Sequence, residues 1–147
     1  MKAMRILLGL LILLVMFLGS CGEEIVPPTA EEQNTALLVG TGSAAKTWKV
    51  QSVTVDGVDK SSLFAGMTIK FTEGNVTVTN GGVVWPATGT WTFNTSEAKS
   101  IKLGNGTEIE LEVSETVLKL TLSWTRNTFS PGKVSSVAGR HVFTFGL

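Results

Sequence analysis

The chain of 147 residues has one cysteine, one histidine and no tyrosine. A single cysteine cannot form an intramolecular disulfide, so any exported domain must rest on its apolar core alone. One cysteine and one histidine also fall short of a zinc ligand set. No nucleophile–base pair, metal cluster or cofactor motif stands out, so the expectation is a protein that is not an enzyme and needs no cofactor. Twelve basic residues balance twelve acidic ones, which leaves no basic surplus for nucleic acid. The stretch "GTGSAAKT" at residues 40–47 places Ala45 where a phosphate-binding loop needs glycine before its lysine, and a strand pattern follows where that loop needs a helix. The longest apolar run, Ile6–Leu18, has 13 residues, against roughly 20 for a membrane-spanning helix.

That short run is informative for what flanks it. Lys2 and Arg5 precede it, and "LGSC" follows it, with Leu18, the small Gly19 and Ser20, and then Cys21. Basic start, short apolar middle and small residues before the cut make a secretory signal. Ending in cysteine, it resembles the lipobox of bacterial lipoproteins. That resemblance implies that residues 1–20 are removed and that Cys21 becomes the lipid-attachment residue at the new N-terminus. Two or more acyl chains anchor stably where one is marginal, at roughly 0.8 kcal/mol per buried methylene. The rest of the chain keeps 10 basic residues against 12 acidic ones. Residues 21–35, acidic and with Pro27-Pro28, read as the lipidated cysteine and a flexible tether, able to extend over about 45 Å. Gly22 stands where an inner-membrane retention aspartate often sits, and Glu23-Glu24 resemble an acidic surface-export patch. The expected location is the outer membrane of a Gram-negative bacterium, on the periplasmic face or at the cell surface.

Residues 36–147 are enough for one domain. Their apolar residues recur with period two, the signature of half-buried strands. "MTIKF" aligns Met67, Ile69 and Phe71; "EIELEV" sets Ile109, Leu111 and Val113 against Glu108, Glu110 and Glu112. "LKLTLSW" aligns Leu118, Leu120, Leu122 and Trp124, and "HVFTF" aligns His141, Phe143 and Phe145. In "TWKVQSVTV" the parity slips between Val50 and Val53, which predicts a β-bulge near Gln51-Ser52. Asp56-Gly57, Gly74-Asn75, Asn80-Gly81-Gly82, Gly104-Asn105-Gly106 and Pro131-Gly132 punctuate the runs as hairpin turns. Helical pattern is confined to short turns near Glu32–Val39 and Ser61–Phe64. The fold class predicted is all-β: an antiparallel up-and-down barrel of about eight strands, since closure removes exposed edges.

The segments "KTWKV", "VWPATGTW" and "GRHVFTF" give residues 36–147 a resemblance to the lipocalin-like lipoprotein domains common in Bacteroidetes. The resemblance implies a small barrel with an entry-strand tryptophan, Trp48, covered by a basic residue of the last strand, Arg140. It also implies a binding role. Many bulky inward residues, Trp48, Phe71, Trp91 and Phe143 among them, predict a mostly filled interior with a shallow mouth.

Three residues are candidates for ligand contact: Trp85, Trp124 and His141. Trp85 precedes Pro86, which places it at a rim, where plain packing is the competing role. His141 shares parity with Phe143, and its competing role is a hydrogen-bonded interior histidine. The functional expectation is a lipid-anchored barrel that binds a small apolar or amphipathic ligand. The alternative is a filled barrel that contacts an envelope protein partner and takes no small molecule.

Overall fold

A computed structural model describes residues 26–42, 45–126 and 137–147. Cys21 and the proposed signal segment lie outside the described residues. The first element is a helix, α1 (Ala30–Val39), followed by β1 (Trp48–Val55), β2 (Val58–Asp59), a 3-10 turn over Ser61–Phe64, β3 (Thr68–Thr72) and β4 (Asn75–Thr79). Then come β5 (Thr88–Phe93), β6 (Ser100–Leu103), β7 (Glu108–Val113), β8 (Val117–Trp124) and β9 (Gly139–Gly146). Each strand from β3 onward pairs antiparallel with the next, β1 pairs with β3, and β9 returns to β1. The result is a closed eight-stranded antiparallel barrel, with the two-residue β2 hairpinned onto the end of β1.

The period-two pattern fixes which side faces in. Met67, Ile69, Phe71, Ile109, Leu118, Leu120, Phe143 and Phe145 are all buried, while Glu108, Glu110 and Glu112 face solvent. Along the outer face Glu112 sits opposite Lys119 and bonds it at 2.8 Å, an exposed cross-strand pair worth at most about 1 kcal/mol. The bulge falls where the parity slips. Val50 pairs with Phe145 and Ser52 with Thr144, so Gln51 is the extra residue. Without that insertion, either Trp48 or Val53 would turn outward; with it both are fully buried. At the β1–β2 turn, Asp56 and Gly57 take φ values of 49° and 81°, as a tight two-residue hairpin requires.

The chain upstream of the barrel is more ordered than its composition suggested. Thr29 and Glu32 form a reciprocal capping box: Thr29 Oγ1 accepts from Glu32 N at 3.2 Å, and Thr29 N donates to Glu32 Oε2 at 2.8 Å. Helix α1 therefore starts at Ala30, inside the stretch expected to be tether, and the folded domain begins ahead of residue 36. Apart from Ala30, the apolar residues of α1 are consecutive, Ala36 to Val39, so no helical stripe announces it.

Helix α1 lies across one end of the barrel, the helix end. Asn34 Nδ2 donates to Ala98 O in the β5–β6 loop at 3.0 Å. Trp48 Nε1 donates to Leu38 O at 2.9 Å, with both residues fully buried. Lys46 Nζ donates to Leu37 O at 2.9 Å and to Glu115 O in the β7–β8 turn at 3.0 Å, 5.1 Å above the Trp48 ring. Carbonyls of the last helical turn have no partner within the helix; here Lys46 and Trp48 supply two. Replacing Trp48 with phenylalanine keeps the ring but strips Leu38 O of its donor. Equilibrium denaturation of Trp48→Phe should show a loss of about 1–3 kcal/mol; an unchanged unfolding free energy would mean that α1 is not held by this bond.

Candidate functional site

The opposite end, the mouth, is built from the β1–β2 hairpin, the 3-10 turn and the β4–β5 loop. Asn80, itself at φ 56°, donates from Nδ2 to Gly66 O at 3.2 Å and ties the β4–β5 loop to the segment after the turn. Gly81 lets that loop close. A Cβ there would lie 2.6 Å from Trp85 Cβ and 2.8 Å from Val78 Cγ1, closer than any side chain tolerates. Trp85 is thereby folded inward and buried.

Phe143, fully buried midway along β9, is the floor of the mouth. The Phe64 ring meets it edge-on at 5.0 Å, the Trp85 ring edge-on at 5.6 Å, and His141 stacks on it at 5.7 Å. Phe64 also meets the edge of His141 at 6.1 Å. On β8, Leu122 pairs with His141 and Trp124 with Gly139, so Trp124 and His141 are diagonal neighbours on the inner face. The half-buried Trp124 carries Arg126 over its ring at 5.7 Å.

All three candidate ligand residues, Trp85, Trp124 and His141, thus stand at one end of the barrel. They share a second property. Trp85 Nε1, Trp124 Nε1 and His141 Nε2 are buried without a hydrogen-bond partner, and no other buried side-chain nitrogen or oxygen of the described residues is in that state. The contrast with the helix end is direct. Trp48 Nε1 bonds Leu38 O, and Trp91 Nε1 bonds Thr72 O and Asn75 O at 2.9 and 3.0 Å. Two indoles are satisfied at the helix end and two are not at the mouth. The mouth also exposes apolar side chains: Val58, Leu63 and Val83 each leave more than half of their surface in water.

The expected Trp48–Arg140 pair does not form. Trp48 sits at the start of β1 by the helix end, whereas β9 register sets Arg140 beside Ser123 at the mouth. Arg140 faces outward, its guanidinium 3.2 Å from Glu110 Oε2 and its backbone N–H on Asp56 Oδ1 at 2.9 Å. The cation over Trp48 is Lys46. It stands two residues before Trp48, just ahead of β1, a proximity present in the sequence. Phe64 was the other omission, because a four-residue turn gives no periodicity to read. A shallow groove of about 450 Å³ lies outside the barrel, lined by Glu108, Glu110, Thr121, Ser123 and Arg140; its carboxylates are solvated.

His141 Nδ1 lies 3.1 Å from Gly139 O. Burial pushes the pKa of His141 below the usual imidazole value, against the opposing pull of the Gly139 carbonyl and of the Asp56 charge. The folded state therefore resists a proton that the unfolded state accepts. Stability should be constant above about pH 6.5, the ordinary imidazole pKa, and should fall as pH drops from there toward the lowered folded value. Denaturation midpoints across that window should slope in the wild type and flatten in His141→Phe. The same slope in both would assign it to carboxylates instead.

No family model, curated protein or solved structure matches this chain.

Proposed function

We propose that this chain is a lipoprotein of the lipocalin-like kind found in Bacteroidetes, anchored to the outer membrane through Cys21, whose barrel binds a small apolar or amphipathic molecule at its mouth. The closed eight-stranded antiparallel barrel is consistent with that kind of protein. The observation that carries the binding reading is the set of unpartnered nitrogens on Trp85, Trp124 and His141. Buried polar atoms are normally paired, and each unpaired one costs about 1–3 kcal/mol. Three at one end, walled by Phe64 and Phe143 and rimmed by exposed Val58, Leu63 and Val83, match a site that pairs with an incoming polar group and covers an apolar one. Trp48, Phe71, Phe143 and Phe145 are packed to full burial in the interior, so the occupant sits at the mouth and not in the lumen.

That same packing, beside exposed apolar side chains, favours the second reading: a filled barrel that docks an envelope protein through its mouth loops. Helix α1, the first described element, lies at the opposite end, so an anchor at Cys21 would leave the mouth free to face away from the bilayer under either reading.

Two measurements test this. Cys21→Ala should lose lipid labelling and leave the membrane fraction; a variant that keeps both would dispose of the anchor. Native mass spectrometry of the lipoprotein released from its membrane should show an added mass that disappears in Trp124→Ala. A bare mass after incubation with envelope lipids would move the assignment to the protein-docking reading.

A further inference from the structure

Resting on the mouth-binding reading, we infer that the occupant carries an uncharged group that both accepts and donates a hydrogen bond, a hydroxyl or a carboxamide, seated between Trp124 Nε1 and His141 Nε2. The chemistry of the two nitrogens sets this. An indole N–H can only donate. His141 Nδ1 faces Gly139 O at 3.1 Å, and a carbonyl oxygen can only accept, so in the neutral ring the proton is on Nδ1 and Nε2 presents a lone pair. The mouth therefore offers one donor and one acceptor, both buried and both unpartnered.

Their placement is compatible with one small group. Leu122 faces His141 across the β8–β9 ladder and Trp124 faces Gly139, so the two residues are diagonal neighbours, about 7–8 Å apart at their backbones. The imidazole cannot turn away to find another partner. It is stacked on Phe143 with only 10° between the planes and is met edge-on by Phe64 at 90°.

The electrostatics exclude the charged alternatives. A carboxylate brings only lone pairs, which satisfies Trp124 but opposes the Nε2 lone pair. Asp56, whose charge reaches His141, disfavours a second anion there. Arg126 is the nearby cation, and it is placed over the Trp124 ring. An ammonium brings only donors and leaves the indole N–H unanswered. A hydroxyl or carboxamide answers both. Its apolar body would lie on the rim side, against Trp85 and the exposed Val58, Leu63 and Val83, where Trp85 Nε1 can take a second acceptor.

The test uses the full chain in lipid nanodiscs at neutral pH, titrated with decanol, decanamide and decanoate, which share one chain and differ in the head. The indole N–H resonances of Trp85 and Trp124 report occupancy of the mouth, and those of Trp48 and Trp91 serve as internal controls. Decanol and decanamide should bind roughly 10- to 100-fold more tightly than decanoate, the scale set by one unanswered buried group. That preference should collapse in His141→Phe, which removes the opposing lone pair, and persist in Trp124→Phe, where all three heads lose the same donor and bind more weakly. Each variant keeps an aromatic ring in place, and near-ultraviolet circular dichroism checks that they fold. Decanoate binding as tightly as decanol would overturn the head-group assignment while leaving mouth binding intact. If none of the three probes moves the Trp85 or Trp124 signals, mouth binding itself fails.

Discussion

The hydrogen bond from Trp48 Nε1 to Leu38 O, at 2.9 Å and fully buried, joins the only α-helix of the described residues to the strand that closes the barrel. Every other feature of the helix end is arranged around it. The bulge at Gln51 keeps Trp48 inward while Val53, further along the same strand, also stays inward. Lys46 covers the indole and ties the last turn of α1 to the β7–β8 turn. A closed barrel solves the problem of exposed strand edges but leaves two open ends. At this end a short helix is the stopper, and its unpaired carbonyls find donors in the very residues that it covers.

The two ends therefore differ in kind. At the helix end the indoles of Trp48 and Trp91 have backbone acceptors. At the mouth, Phe64, Trp85 and His141 all meet the Phe143 ring, yet Trp85, Trp124 and His141 each keep a buried nitrogen without a partner. A barrel optimised only for stability would place phenylalanine or leucine at those positions, with similar burial and no unsatisfied atom. Among the described residues, the buried side-chain nitrogens and oxygens are all paired at the helix end while three are unpaired at the mouth, and such local inconsistency is expected where a surface binds something. The filled interior then acts as a rigid support that holds the mouth residues in fixed relation.

The barrel was legible because its side chains repeat with period two and its turns carry glycine or asparagine where positive φ is needed, as at Asp56-Gly57 and Asn80. The bulge was legible for the same reason, as a slip in that period between Val50 and Val53. Parity also sent His141 inward and Pro86 put Trp85 near a rim. Helix α1 was only partly legible. Its apolar residues cluster at one end, and its start depends on the Thr29–Glu32 capping box within a stretch whose composition reads as linker.

The sequence by itself determined which residues alternate in and out, the turns at Asp56-Gly57, Gly74-Asn75, Asn80-Gly81-Gly82 and Gly104-Asn105-Gly106 (Pro131-Gly132 lies outside the described residues), and that Trp85, Trp124 and His141 are unusual among strand residues. Tertiary structure alone decided which residues meet. Strand register separates Arg140 from Trp48 by the length of β1 and gives the indole to Lys46 instead. Barrel closure brings the β4–β5 loop, the 3-10 turn and the last strand around Phe143. The physical reason is that alternation is a local property of each strand, whereas register and closure depend on how distant strands stagger around the barrel. That stagger is set by packing and backbone hydrogen bonds between residues far apart in the chain.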